Sequence, residues 1–283
     1  LVLKTDKFRF ERWRLKKGIP MTGNAGINAI VEVRDVSKCY GGKMGKHGHN
    51  ENMTRALDHV NFTVDQGEFV AIMGPSGSGK STLLNCLATI DSPTNGHMII
   101  GGKDVVGLSS KELARFRREE LGFVFQDSNL LDTLTIRENI ALALTISRVP
   151  ARTINEQVES LARQLSIAQT LDRYPYEVSG GQKQRAAAAR AFITKPHLIL
   201  ADEPTGALDT KSARELLDTL EFLHAMGATI LMVTHDSSVA SHSDRIVFIR
   251  DGRLWGQMSR GNNDRKTFLA RIIAATSQLE EGD

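Results

Sequence analysis

Cysteine is scarce. Cys39 and Cys86 are the only two in 283 residues, and they do not form a CxxC pair. That argues against a disulfide-stapled fold and a thiolate metal site, and it suits a reduced intracellular protein. Long apolar runs are also missing. None approaches the roughly 18 residues that a membrane-crossing helix requires, and the first residues lack the charged-then-apolar layout of a secretory leader. If the protein moves anything across a membrane, a different chain must supply the path. Neither internal repeats nor sustained heptads are found, which leaves no solenoid and no long coiled coil. What is present is ordinary globular composition, 41% hydrophobic and 24% charged. It is enough for one large domain or two small ones with a sizeable core.

The net charge of +3 is unevenly placed. Residues 1–20 hold seven basic side chains (Lys4, Lys7, Arg9, Arg12, Arg14, Lys16, Lys17) against Asp6 and Glu11, a net +5, which leaves −2 for the rest. A slightly acidic body argues against nucleic acid as a partner. The head also carries Phe8, Phe10 and Trp13, so it has the composition of a membrane-surface segment. The plainer expectation is a basic, disordered extension over residues 1–28, ahead of a start at Met21.

Short strand-like runs are expected at 30–40, 57–64, 68–73, 121–125, 197–201 and 229–234, with helices at 81–89 and 212–226. Residues 197–201 and 229–234 are apolar enough to be parallel strands buried on both faces. Asp251-Gly252 between two more strands signals a hairpin. Residues 130–192 are mostly helical by pattern, broken at Tyr174-Pro175-Tyr176, and are expected to form an inserted helical subdomain. Residues 41–55 read as a loop. His47 and His49 within it have no third ligand nearby and are not taken as a metal site. Strands alternating with helices around a glycine-rich turn imply an α/β domain, here expected over 29–258 with a helical tail at 259–283.

Two patterns carry chemistry. The run Gly74-Pro75-Ser76-Gly77-Ser78-Gly79-Lys80-Ser81 satisfies G-x-x-x-x-G-K-[ST] between a strand and a helix. Glycines let the backbone curl so that successive N–H groups face phosphate oxygens, and the helix N-terminus adds its positive end. Lys80 is expected to neutralise the β- and γ-phosphates, Ser81 to hold Mg²⁺, and Thr82 to reach the α-phosphate. In the second pattern the apolar strand 197–201 ends in Asp202-Glu203. Beside a phosphate loop, Asp202 is expected to hold Mg²⁺ and Glu203 to polarise an attacking water.

Val178-Ser179-Gly180-Gly181-Gln182-Lys183-Gln184-Arg185 resembles the LSGGQ signature of ABC transporter ATPases, with Val in place of the leading Leu. The resemblance spans about residues 30–255. It implies the P-loop NTPase fold of that family, with an N-terminal antiparallel β subdomain and an inserted helical subdomain. It further implies ATP hydrolysis with Mg²⁺ by two copies of the chain, each closing Ser179, Gly180, Gly181 and Gln182 over the γ-phosphate held by the other. In the same pattern Gln126 matches the glutamine that touches Mg²⁺ and the water. His235 matches the switch histidine on the γ-phosphate, Asp209 lies in the loop at the dimer seam, and Tyr40 matches the aromatic that stacks on adenine.

Gly122-Phe123-Val124-Phe125-Gln126 and the stretch from Asp202 to Asp209 resemble the macrolide-export and lipoprotein-release branch. Leu87-Ala88-Thr89-Ile90-Asp91, the runs 127–135 and 174–185, and the tail 260–268 resemble the bacitracin and peptide-antibiotic resistance exporters within it. That likeness implies an integral membrane permease as partner, the cytoplasmic face of the membrane as location, and a sensor kinase reached through the permease. A macrolide- or lipoprotein-type system, or a cell-division ATPase, is the alternative within the branch. A soluble ABC ATPase of chromosome maintenance or translation is the distant one. It is disfavoured because only about a hundred residues separate phosphate loop and signature, with no heptads between them, and because the chain has one phosphate loop.

Overall fold

The computed structural model describes residues 28–41 and 53–281. The basic head, most of the 41–55 loop with His47 and His49, and residues 282–283 lie outside the described residues. In chain order the first half contains β1 (Ala29–Tyr40), β2 (Thr54–Asp65), β3 (Phe69–Met73), α1 (Lys80–Leu87), β4 (Asn95–Ile100), β5 (Lys103–Asp104), α2 (Ser110–Glu120), β6 (Leu121–Val124) and α3 (Ile136–Ile146). The second half contains α4 (Ala151–Gln164), α5 (Gly180–Phe192), β7 (Leu198–Asp202), α6 (Thr210–Ala225), β8 (Ile230–Val233), α7 (Ser237–Ala240), β9 (Arg245–Arg250), β10 (Arg253–Ser259) and α8 (Arg265–Glu281).

The strands form two sheets. One is antiparallel, in the order β2-β1-β4-β5, and the other runs β10-β9-β3-β8-β7-β6. In the second sheet every pairing from β9 to β6 is parallel, and only the β9–β10 hairpin edge is antiparallel. All residues of β3 and β8 are buried, as a parallel sheet covered on both faces requires. Alternate side chains divide between two cores. Phe69, Ala71 and Met73 pack with α3, α4, α5, α6 and α8 on one side. Val70 and Ile72 pack with α1 and the antiparallel sheet on the other. The fold is therefore the mixed α/β arrangement implied by the family resemblance.

Local side chains fix the helix starts. Ser109 with Glu112, Thr135 with Glu138, and Ser179 with Gln182 form reciprocal capping boxes at the starts of α2, α3 and α5. The structure also corrects the sequence reading. Thr54 and Arg55, read as loop, belong to β2, because they pair with Tyr40 and Cys39. No strand is read over 95–100, yet β4 lies beside β1. The expected hairpin forms, but β10 runs on to Ser259, well past Trp255.

Candidate functional site

The order β3-β8-β7-β6 assembles the site. The register aligns Ile72 with Val233, Val233 with Asp202, and Ala201 with Val124. Four segments far apart in sequence therefore emerge side by side at the carboxyl ends of parallel strands, where ligands of open α/β sheets bind. They are the phosphate loop after β3, Thr234-His235 after β8, Asp202-Glu203 at the end of β7, and Phe125-Gln126 after β6.

The loop's shape depends on glycine at defined points. Gly77 and Gly79 have φ of 77° and 101°, a region L side chains avoid. A Cβ on Gly79 would lie 2.4 Å from the Ala56 carbonyl oxygen, and one on Gly74 would lie 2.0 Å from that of Ile249. Ser76 and Ser81 stay exposed while Ser78 and Lys80 are buried. The Lys80 ammonium donates to the Gly74 and Pro75 carbonyls at 2.8 and 2.9 Å, so it bridges the loop from within. Burial pushes its pKa down, and the negative charges of Glu203 and Asp202 oppose that shift. The Ser78 hydroxyl is buried against Gly74 without a hydrogen-bond partner.

Glu203 adopts φ 43° at the turn after β7. Its carboxylate meets Nδ1 of His235 at 2.8 Å. The Asp202 carboxyl is pushed up by burial and by the charge of Glu203, and Lys80 offsets part of this. A Cβ on Gly206 would approach the Gln126 carboxamide nitrogen to 3.1 Å, so the Gln126 side chain lies against the turn that follows Glu203. Lys80, Gln126, Asp202, Glu203 and His235 thus share one crevice. Among the described residues no three His, Cys, Asp or Glu side chains cluster as a metal cage. The oxygens of Ser81, Gln126 and Asp202 are nevertheless the hard donors that Mg²⁺ takes.

Tyr40 lies on the α1 side. Its hydroxyl donates to Asp91 at 2.7 Å, and the Lys38 ammonium sits 4.9 Å from the ring centroid. Burial and Asp91 raise its pKa, while Thr82 and Lys38 counter this. The ring is thereby fixed, and it is 41% exposed.

The signature lies elsewhere. Among the described residues, no hydrogen bond or ion pair joins Ser179, Gly180, Gly181 or Gln182 to the phosphate loop of the same chain. A Cβ on Gly181 would come within 2.8 Å of Ser212 Cβ, so α5 and α6 touch there. Asp209 is the N-cap of α6. It accepts from the N–H groups of Lys211 and Ser212 and from the Ser212 hydroxyl. A structural duty at this aspartate is not apparent from the sequence reading.

Two further side chains were missed, Gln184 and Arg190 of α5. Both bond the backbone around Gln126. A polar Gln184 on the stripe that continues through Ala188 and Ala191, all buried, was the available signal. The two cysteines have no part in the site. Cys86 is buried, and its thiol is pushed up to about 12 by burial.

Comparison with known proteins supplies the frame for this geometry. A family model described as "ABC transporter" matches residues 57–206. The chain is 49% identical over 252 residues to the bacitracin export ATP-binding protein BceA of Halalkalibacterium halodurans, covering 89% of this chain and 97% of that protein. It is 43% identical to the macrolide export ATP-binding/permease protein MacB of Hyphomonas neptunium, covering 80% of this chain but 34% of that protein. The dimeric structure of a post-hydrolysis state of the ATP-binding cassette MJ0796 bound to ADP and Pi superposes with a TM-score of 0.70 at 37% identity, covering 81% of this chain and 98% of that one.

Proposed function

The chain belongs to the ABC transporter family as an ATP-binding, ATP-hydrolysing subunit, and from that premise we propose that two copies of it power a separate integral membrane permease in resistance to peptide antibiotics of the bacitracin type. The observation that carries the motor is the crevice in which Lys80, Gln126, Asp202 and the 2.8 Å pair Glu203–His235 converge. The likeness to BceA over 89% of the chain supports the cargo. No helix of the described residues is long and apolar enough to cross a membrane. The permease is assigned to a partner chain, with this one peripheral to it on the cytoplasmic face, on the likeness to BceA over 97% of that ATP-binding protein. A sensor kinase reached through the permease belongs to the same proposal.

The proposed roles rest on this geometry together with the family pattern. The curled backbone of 74–79, Lys80 and Thr82 hold the phosphates, and Tyr40 supports the adenine. Glu203 takes the proton of the attacking water while His235 orients its carboxylate. Gln126 positions the water from its place against the turn after Glu203. Ser81, Gln126 and Asp202 would hold Mg²⁺, which supplies charge neutralisation on the β- and γ-phosphates. The raised pKa of Asp202 fits this, since a cation beside it would favour the ionised form. Ser179, Gly180, Gly181 and Gln182 cap the γ-phosphate of the partner copy, and Asp209 lies at the seam. Their contacts in this chain are with Leu208 and Ser212 rather than with its phosphate loop, which supports action in trans.

The test is Glu203→Gln in the full chain. Loss of a general base costs about 10²- to 10⁴-fold in hydrolysis, while ATP binding survives and an ATP-dependent dimer accumulates in sedimentation. Cells carrying only this variant become sensitive to bacitracin. Wild-type turnover would overturn the assignment of the base. Sensitivity to macrolides in place of bacitracin would move the cargo to the second reading, which the 43% identity to MacB favours.

A further inference from the structure

Gln184 is almost fully buried, at 2% exposure, in the middle of α5. Its carboxamide nitrogen donates to the backbone carbonyls of Phe125 at 3.0 Å and Gln126 at 2.5 Å. Its carboxamide oxygen is buried without a partner. An apolar side chain of similar volume would fill the same space without stranding that oxygen, so packing alone does not account for glutamine here. Two turns further along, Arg190 donates to the carbonyls of Asn129 at 2.7 Å and Ser128 at 3.0 Å. The helix is seated hard on the strand that leads into this loop, since a Cβ on Gly122 would lie 2.3 Å from the Ala191 carbonyl oxygen. One helix face therefore grips the backbone of Phe125, Gln126, Ser128 and Asn129. The same helix starts with the Ser179 cap.

We infer that Gln184, supported by Arg190, is a positioning residue for Gln126. By fixing the carbonyls on either side of the Phe125–Gln126 peptide nitrogen, it sets where the Gln126 side chain meets the Glu203–Gly206 turn. It also makes the signature and the Gln126 loop one rigid piece. A shift of Ser179 on the partner's nucleotide is then felt by Gln126 at the chain's own nucleotide. This inference rests on the role proposed above for Gln126.

A double-mutant cycle on the purified full chain tests it, with kcat, ATP affinity and thermal midpoint measured for Gln184→Met, Gln126→Ala and the pair. Gln184→Met keeps the volume and removes the donor. It is expected to lower kcat by about 10- to 100-fold, the scale of a misplaced catalytic group, with ATP affinity unchanged. The pair is expected to be no slower than Gln126→Ala alone. Wild-type kcat in Gln184→Met, or losses that multiply in the pair, overturns the inference while leaving Gln126 in place. Wild-type kcat in Gln126→Ala instead overturns the reading of Gln126, and the role of Gln184 falls with it. Should Gln184→Met not fold, Arg190→Lys, which loses the two-carbonyl fork, enters the same cycle under the same criteria.

Discussion

The phosphate loop at 74–81 and the signature at 178–185 are both glycine-rich turns that open a helix, yet they use glycine for different reasons. In the first, Gly77 and Gly79 take left-handed φ values that bend the backbone into a cradle. In the second, none of the glycines has positive φ. Gly180 and Gly181 lie in the first turn of α5, and bareness is the requirement: Gly181 must let Ser212 approach. The first turn also carries its own cation, Lys80, buried and bonded inward. In the second the serine is engaged locally with Gln182. One turn forms a pocket within a single chain. The other, on the function proposed above, presents a face to the nucleotide of a second copy.

This contrast can be broken by substitution. Gly79→Ala should do the most damage, because it adds left-handed strain of about 1–2 kcal/mol to overpacking of about 1–3 kcal/mol. An unfolding free energy in urea lowered by roughly 2–5 kcal/mol, with a lower midpoint and loss of ATP binding, is the expected outcome. A wild-type midpoint would show that the cradle does not need its curvature. Gly181→Ala carries no backbone strain and should cost about 1–3 kcal/mol by forcing α5 from α6. ATP affinity measured on the monomer should stay within about threefold of wild type, while hydrolysis falls. If affinity fell with hydrolysis, the two turns would not be separable. Asp209→Ala should have the smallest effect, about 1 kcal/mol for a lost N-cap. Asp209→Asn should restore the midpoint, since asparagine caps equally well. If the alanine variant lost hydrolysis at full stability, the aspartate would be needed at the seam rather than at the cap.

Legibility followed the range over which each feature is determined. The phosphate loop, Asp202-Glu203 and the signature run could be read because their chemistry is contiguous. Gln126 and His235 emerged only through the family pattern, since nothing local marks a strand-end glutamine or histidine. The grouping itself needs the β3-β8-β7-β6 order, which pairing decides. β4 was illegible because Asn95, Gly96 and His97 do not look like a strand until β1 lies beside them. α2 buries only Phe116 among its eleven residues, so it offers little periodicity. Gln184 was passed over because a buried amide in an alanine-rich helix acquires meaning only from the carbonyls it meets.

The Asp251-Gly252 turn reads as a plain hairpin tip, but its contacts reach both sheets. The Gly252 N–H donates to the Ser78 carbonyl at 3.0 Å, and its own carbonyl accepts from the Asp58 N–H at 2.8 Å. Arg253 and Arg55 close on the buried Asp58 carboxylate, whose pKa they hold down. Edge hairpin, phosphate loop and antiparallel sheet are thereby pinned at one point. Because the antiparallel sheet shares one buried cluster with β3 and α1, damage to this turn is expected to register as weakened ATP binding through the phosphate loop it touches.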